Sequence, residues 1–357
     1  MVANIVSIVI GAALVLLTMS DVFQSAIVPR AVGRRYRISS YAWRYAWKIW
    51  PALSWKLAGG DPERREDLLA YFAPGMLIAL LVIWCGLMIV GFGTILWGLR
   101  GGLAPPIHSF GAALYFAGTA LTTIGFGDIA GRTAGTRFFS IVAGGTGLGY
   151  FAVLTAYLFA LIGSFQARET FVVMLGARTG TPPSGVDLIA ISGYTQTQQD
   201  LSQVFFEAQR WTAQLMESHL AYPTLAYFRS SHDFQSWVGT LGTLLDASTL
   251  AITTIEGAPE GRARIFFNLG RHATHDLTNY FGVPVESATA GLERHEFDTA
   301  CDRLEHAGFT LRDRDASWER FAALRIDYAP QLNSLARFFE IPPLQWIGDR
   351  GPVTGPH

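Results

Sequence analysis

Three long apolar segments constrain the fold of this chain more than any other feature of its sequence. They cover residues 3–29, 72–98 and 136–165. A helix needs about 20 apolar residues to cross a bilayer, and each segment exceeds that length. The composition agrees, because 50% of the 357 residues are hydrophobic and only 15% are charged. The sequence therefore predicts an all-α membrane protein with three transmembrane helices.

The first apolar segment is either a signal peptide, which would be removed, or a retained helix. It lacks a basic n-region and a small-residue cleavage site, and it runs past the length of a normal signal core. We therefore expect residues 1–30 to form an extra N-terminal transmembrane helix. Asp21, near its inner end, is a candidate for gating or for a local hydrogen bond near the headgroups, and the sequence favours the local bond.

Basic residues cluster between the first two apolar segments and indicate the orientation of the chain. The nine residues are Arg30, Arg34, Arg35, Arg37, Arg44, Lys48, Lys56, Arg64 and Arg65. Such clusters near span ends mark the cytoplasmic side. This orientation places the N-terminus and residues 99–135 outside and everything after Phe165 in the cytoplasm, which predicts a protein of the cell (inner) membrane.

The segment 31–71 also interleaves aromatic residues with these charges. The aromatic residues are Tyr36, Tyr41, Trp43, Tyr45, Trp47 and Trp50. The pattern predicts a helix that lies along the headgroups with its aromatic side chains half-submerged. A specific site for anionic lipids within residues 30–65 is the alternative, and the sequence favours an ordinary interfacial anchor.

A fourth apolar stretch, residues 109–122, is too short to cross the bilayer. It follows Pro105 and Pro106 and precedes a glycine-rich turn, so it is expected to enter the membrane and return. Ser109 has the residue type of a helix N-cap. The C-terminal end of such a half-helix carries partial negative charge, which favours a cation beside the residues that follow.

Those residues read TTIGFGD, from Thr122 to Asp128. Non-helical backbone at membrane depth is tolerated only where it is buried in protein or lines a watery path. Glycines at alternate positions permit conformations that are closed to other residues, so that successive carbonyls can point to one side. The motif resembles the selectivity signature of potassium channels, whose carbonyl rings replace the hydration shell of the ion.

The resemblance implies a role for each residue of the motif. Four chains would be needed, because each chain has one such loop, and K+ ions would occupy the shared axis of this homotetramer. The ion-binding residues would be Thr123, Ile124, Gly125, Phe126 and Gly127, with Asp128 at the outer mouth. Phe126 stands where tyrosine is commoner, so a hydroxyl that usually braces the filter is missing.

The resemblance to potassium channels implies that residues 72–165 form the pore domain. It comprises an outer helix at 72–98, a re-entrant pore helix at 109–122, a filter at 123–128 and an inner helix at 136–165. Four glycines crowd the middle of the inner helix, namely Gly144, Gly145, Gly147 and Gly149. Gly147, and next Gly144, are candidates for a gating hinge, and close helix packing is an equally good reason for them.

The last part of the chain has the composition of a soluble domain. Residues 166–357 carry 15 basic and 22 acidic residues, whereas residues 1–165 carry 12 basic and 6 acidic ones. Pro182 and Pro183 mark the end of a linker at 166–183. Apolar residues then recur at helical spacing, which predicts a mainly helical cytoplasmic domain over 184–357, with helices near 259–280, 287–307 and 315–340 and a break at Pro330.

No known ligand motif is present in this domain. A strand followed by GxGxxG is missing, so no organic cofactor is expected, and an assembly or regulatory domain with an unknown cytoplasmic ligand is the interpretation. His272, His275 and Asp276 share one face of a predicted helix and are candidates for metal binding or pH sensing, with a surface ion pair as the favoured alternative. His219 is interpreted as structural.

The sequence thus predicts a potassium-selective channel rather than an enzyme, with the lipid bilayer and no nucleic acid among its partners. A membrane signalling or scaffold protein with a poorly conducting pore is the alternative function. A potassium-transporter subunit is a third possibility, but its four degenerate loops per chain do not match the single complete motif found here.

Overall fold

The computed structural model describes residues 2–28, 38–180, 182–232, 235–285, 291–342, 344 and 346. Almost all regular structure in these ranges is helical. The helices are α1 (Val2–Ala26), α2 (Ile38–Ala58), α3 (Pro62–Ala70), α4 (Phe72–Gly98), α5 (Phe110–Leu121), α6 (Ala134–Thr179), α7 (Gly185–Tyr194), α8 (Leu201–Ala221), α9 (Trp237–Thr253), α10 (Glu260–Phe281), α11 (Arg294–His306), α12 (Arg314–Ile326) and α13 (Ala329–Phe338). One antiparallel pair of short strands joins β1 (Leu103–Ala104) to β2 (Ala130–Gly131).

Three helical stretches are long and apolar enough to cross a membrane. They are Val2–Ala26, Pro62–Gly98, which contains α3 and α4, and Ala134–Thr179. The predicted fold class, an all-α membrane protein with three spanning helices and a helical domain after them, is confirmed. The basic residues Arg30, Arg34, Arg35 and Arg37 lie outside the described residues.

The chain divides into two compact units. Unit 1 contains Met1–Trp50 and Tyr71–Ile162, and unit 2 contains Pro51–Ala70 and Gly163–His357. The chain passes from one unit to the other within α2, between α3 and α4, and within α6. Part of the segment predicted to be interfacial therefore belongs to the same unit as the C-terminal helices.

In unit 1, α1 packs closely along α4. A Cβ atom on Gly11 would lie 2.5 Å from the carbonyl oxygen of Gly91, and one on Gly98 would lie 2.7 Å from that of Asn4. Small residues allow membrane helices to approach this closely, since they remove the side chains that would hold the backbones apart. The extra N-terminal helix is thereby attached to α4.

Asp21 joins three helices of unit 1. Its side chain accepts hydrogen bonds from Ser39 N at 3.1 Å, from Ser39 Oγ at 3.0 Å and from Trp84 Nε1 at 2.7 Å. The residue is only 3% exposed. A buried carboxylate requires such donors, because leaving it without them would cost several kcal/mol, on the order of the penalty for one unpaired charge. The local hydrogen bonding favoured by the sequence is confirmed.

The third long helix, α6, extends beyond its predicted end at residue 165. It runs without interruption to Thr179, so most of the predicted linker 166–183 is helical. The reason lies in the residues that end it. Gly180 adopts a left-handed conformation with φ of 76°, and Pro182 and Pro183 follow, which is where a helix is expected to stop.

Unit 2 is a helical bundle around α9. Every residue of α9 is buried, and helices α7, α8, α10, α12 and α13 pack on it. The predicted helix at 259–280 corresponds to α10, whereas the predicted helix at 315–340 is divided into α12 and α13. The division falls before Pro330, which occupies the first turn of α13. Proline is tolerated there because N–H groups in the first turn have no partner within the helix. The predicted 287–307 helix begins at Arg294, and residues 286–290 lie outside the described residues.

An ion pair lies in the core of this bundle. Arg325 Nε donates to Asp246 Oδ1 at 2.9 Å, and the hydroxyl of Tyr328 donates to the same oxygen at 2.6 Å. Both charged side chains are at most 1% exposed. Removing one partner of such a pair would leave an uncompensated buried charge, at a cost of about 3–5 kcal/mol.

Helix α3 is held in unit 2 by a cluster of two arginines and two glutamates, here called the α3 clasp. Arg65 Nη2 lies 2.6 Å from Glu340 Oε2, and Arg229 Nε lies 3.2 Å from Glu66 Oε1. Arg229 Nη2 also donates to the carbonyl oxygen of Glu340 at 2.8 Å. The Arg65 guanidinium stacks 4.4 Å from the ring centroid of Trp55. Both arginine side chains are 9% exposed, so these contacts are largely shielded from water.

His219 of α8 is completely buried in the same unit. Its Nδ1 lies 2.8 Å from the carbonyl oxygen of Leu215, and its ring packs 4.8 Å from Trp237. Burial and the positive charge of Arg168 lower the pKa of His219 to about 3. The imidazole is therefore neutral in the folded protein at physiological pH, which agrees with the structural role expected from the sequence.

This burial predicts an acid-sensitive fold. In the unfolded chain His219 has a pKa of about 6.5, so unfolding takes up a proton between pH 6.5 and about 3 and stability falls as the pH falls through that window. Between pH 8 and 5.5 we expect His219 to account for a loss of about 1.4 kcal/mol. Thermal unfolding of the full chain in detergent, compared with His219→Asn, measures it. The variant keeps an amide donor near Leu215, and an equal pH dependence of the two proteins would contradict the prediction.

Candidate functional site

Helix α5 is the half-helix predicted before the TTIGFGD motif. Ser109 adopts an extended conformation and its side chain accepts a hydrogen bond from Ala112 N at 3.2 Å, so the predicted N-cap is confirmed. The helix ends at Leu121 after 12 residues, too few to cross a bilayer. The chain then returns through residues 123–129 to strand β2. This is the re-entrant arrangement that the short apolar stretch predicted.

The backbone of the motif alternates in handedness. Thr123, Gly125 and Gly127 have positive φ angles of 60°, 55° and 82°, whereas Ile124 and Phe126 between them do not. In an ordinary strand successive carbonyls point in opposite directions, and alternation between left- and right-handed conformations can bring them to the same side. Glycine adopts the left-handed conformation without cost, but threonine does not, and Thr123 therefore stores strain on the order of 1–3 kcal/mol.

The amide groups at the start of the motif are directed back to α5. The N–H groups of Ile124 and Gly125 both donate to the carbonyl oxygen of Thr119, at 2.9 and 3.1 Å, and Thr123 N–H donates to that of Ala120 at 3.1 Å. These first amides are thus occupied, and among the described residues no backbone N–H donates to the carbonyls of residues 123–127. Residues 123–128 are all exposed in the single chain.

Tyr115 of α5 supports the outer part of the motif. Its ring stacks on Phe126, with the centroids 6.5 Å apart and the planes within 2°, and its side chain is close enough to Asp128 to interact with that carboxylate. Sequence reasoning missed this residue. The available signal was its position seven residues before Thr122, since two helical turns place it on the side of α5 where Thr122 begins the return.

Gly147 has a packing role. A Cβ atom there would overlap the carbonyl oxygen of Leu121, the last residue of α5, and one on Gly144 would lie 3.3 Å from that of Ala120. Nothing within 4 Å would meet a Cβ atom on Gly145 or Gly149. Helix α6 is continuous through all four glycines. The close contact with the end of α5 explains why residue 147 is a glycine. A gating hinge at Gly144 or Gly147 stays a hypothesis.

The three candidate residues for metal or proton sensing do not converge. His272 Nε2 pairs with Asp276 Oδ2 at 3.2 Å on the surface, whereas His275 Nε2 lies 3.0 Å from the carbonyl oxygen of Asp327. Among the residues that the structure describes, no group of three or more His, Cys, Asp or Glu side chains could hold a metal ion. The metal-binding hypothesis therefore gains no support from the described residues. The i,i+4 spacing of His272 and Asp276 instead brings these two side chains together at the surface.

Comparison with known proteins agrees with this geometry. Residues 80–164 match the protein-family model described as "Ion channel". The matched range contains most of α4, all of α5, the TTIGFGD motif and α6 as far as Ser164. No curated protein and no solved structure matches the chain. The chain therefore contains an ion-channel pore domain, carried by a membrane protein.

The contact at Gly147 predicts opposite results for two neighbouring substitutions. Gly147→Ala should destabilise the pore domain by about 1–3 kcal/mol, because the new methyl group has no room beside Leu121. Gly145→Ala should be neutral or stabilising by up to about 1 kcal/mol, because alanine favours the helix and meets nothing in the chain. Thermal unfolding of the full chain in detergent compares them. Equal effects of the two variants would show that the close approach to α5 does not matter.

Proposed function

We propose that the chain forms a potassium-selective channel that conducts K+ passively as a homotetramer. The observation that carries the proposal is the alternating backbone of residues 123–127, whose first amides are bound by the end of α5. Four such segments around one axis would present stacked rings of carbonyl oxygens, the arrangement that replaces the hydration shell of a potassium ion.

The ions would be the only cofactor of this site. Thr123 would contribute its hydroxyl and carbonyl to the innermost position, and Ile124, Gly125 and Phe126 would contribute carbonyls to the positions above it. Asp128, close to Tyr115, would lie at the outer mouth and attract cations. The C-terminal end of α5 adds partial negative charge just behind the innermost position.

Two further observations support four copies around the axis. Ile124 and Phe126 are 57% and 68% exposed in the single chain and are therefore available for contacts with neighbouring copies. The carbonyls of a single segment also cannot surround a cation from all sides. Neighbouring chains would cover the apolar side chains and complete each ring of oxygens.

The same proposal places the N-terminus outside the cell membrane and unit 2 in the cytoplasm, following the basic residues between α1 and α4. In this position the helical bundle would assemble or regulate the pore, in response to a ligand that its sequence does not identify. The α3 clasp supports a regulatory role, because it joins the bundle to the helix that precedes α4. No observation favours the alternative of a poorly conducting scaffold.

Ion flux into liposomes tests the selectivity. Purified full-length protein should admit K+ much faster than Na+, and Gly125→Ala should abolish selective conduction because alanine disfavours the φ of 55° at that position. Gly86→Ala in α4 is the control, since nothing lies within 4 Å of a Cβ atom there. Equal K+ and Na+ flux through the unaltered protein would overturn the selectivity, and a particle of other than four chains would overturn the tetramer.

A second prediction concerns Tyr115. Replacing it with phenylalanine keeps the stacking on Phe126 and removes only the hydroxyl that interacts with Asp128. Tyr115→Phe should show a faster decline of K+ current under sustained conduction and a lower K+/Na+ permeability ratio. Tyr41→Phe, at an exposed tyrosine of α2, should change neither. Unchanged currents in Tyr115→Phe would show that this hydroxyl does not brace the filter.

A further inference from the structure

The first half of α2 is fixed in its rotation about the helix axis. Ser39, in its first turn, is bound to Asp21 of α1 through both its backbone N–H and its hydroxyl. Trp43 and Trp47, one turn apart, pack on Phe72, the first residue of α4, with ring centroids 5.6 and 4.8 Å away. All three α2 residues are buried, so they define the inner face of the helix and leave the opposite face outward.

The outward face combines basic and aromatic side chains. Tyr41, Arg44, Tyr45, Lys48 and Ile49 are exposed, and their spacing of three and four places them on one side of the helix. Tyr41 stacks on Tyr45 with centroids 6.4 Å apart, and Lys48 Nζ lies 6.0 Å above the Tyr45 ring. These contacts gather the two positive charges and the phenol groups into a single surface.

This surface has no internal counter-charge. Helix α2 contains no acidic residue from Ile38 to Ala58, and neither Arg44 nor Lys48 forms an ion pair with any residue that the structure describes. Arginines of the helical bundle provide a contrast, since Arg264, Arg294 and Arg314 each contact at least one carboxylate. Two basic side chains one helical turn apart that form no ion pair with a described residue can both donate hydrogen bonds to the oxygens of one phosphate group.

The position of the surface along the chain identifies the bilayer as the source of that phosphate. Asp21 lies near the inner end of α1, and Phe72 begins α4, so the residues that anchor α2 belong to the ends of two membrane-spanning helices. Ile49, 65% exposed beside Lys48, adds an apolar side chain at the same level. Basic, aromatic and apolar side chains in this order are typical of helices at the boundary between headgroups and acyl chains.

We propose that Arg44, Tyr45 and Lys48 bind the headgroup phosphate of an anionic phospholipid. Arg44 and Lys48 would donate to the phosphate oxygens, and the Tyr45 hydroxyl would bind a polar group of the same headgroup. A net negative lipid is preferred over a zwitterionic one, because the surface carries two positive charges and no negative one. The inference concerns lipid binding alone and stands apart from potassium selectivity.

Native mass spectrometry of the purified full-length protein tests this proposal. The protein is titrated with dioleoylphosphatidylglycerol, which is anionic, or with dioleoylphosphatidylcholine, which is zwitterionic, and the bound lipids are counted. A basic residue near an anionic surface contributes about fivefold in affinity. For the two residues together we therefore expect phosphatidylglycerol to bind about 25-fold more tightly than phosphatidylcholine, and Arg44→Gln/Lys48→Gln to lower that preference at least tenfold or to abolish it.

A matched control removes the same charge elsewhere. Arg210→Gln/Arg320→Gln neutralises two exposed arginines of α8 and α12 and should leave the lipid preference unchanged. Equal binding of the two lipids to the unaltered protein would overturn the proposal and identify α2 as a simple interfacial anchor. A preference that survives Arg44→Gln/Lys48→Gln would also overturn it, as would an equal loss in the control. Thermal unfolding of both double variants verifies that each is folded.

Discussion

Backbone carbonyls cannot remain unsatisfied at membrane depth, and the pore domain is organised around that constraint. The end of half-helix α5 accepts the N–H groups of Thr123, Ile124 and Gly125, and no backbone N–H in the described part of the chain donates to the carbonyls of residues 123–127. Glycines at 125 and 127 and a strained threonine at 123 produce the alternation that this requires. Cations and neighbouring copies are the natural means of satisfying such a backbone, so the proposed conduction follows from the same requirement that shapes the loop.

The contacts behind the motif show how little freedom the surrounding helices have. Gly147 lets α6 touch the carbonyl of Leu121, and Tyr115 stacks on Phe126. The loss of a hydroxyl at Phe126, which the sequence made conspicuous, is thus accompanied by a tyrosine on the helix behind it. Because α6 packs against the end of α5, a movement of α6 would displace Leu121, the residue just before the motif.

Local signals in the sequence were sufficient for much of this architecture. Hydropathy predicted the three spans, the shortness of residues 109–122 predicted re-entry, and Ser109 was recognisable as a cap from its residue type alone. Long-range contacts were not predictable. Nothing near Arg65 in the sequence indicates that its partner is Glu340, and the continuation of α6 to Thr179 depends on a boundary set by Gly180 rather than by the end of the apolar run.

The α3 clasp has a consequence for how this protein could be rebuilt or could diverge. Residues 51–70 precede α4 in the sequence but fold with the C-terminal bundle, so the boundary between the modules is not a single point in the chain. A C-terminal bundle grafted from another channel would have to bring its own version of this stretch, or Arg65 would lose Glu340 and Glu66 would lose Arg229. Exchange of the C-terminal bundle in such a chain therefore requires changes at two separate places in the sequence.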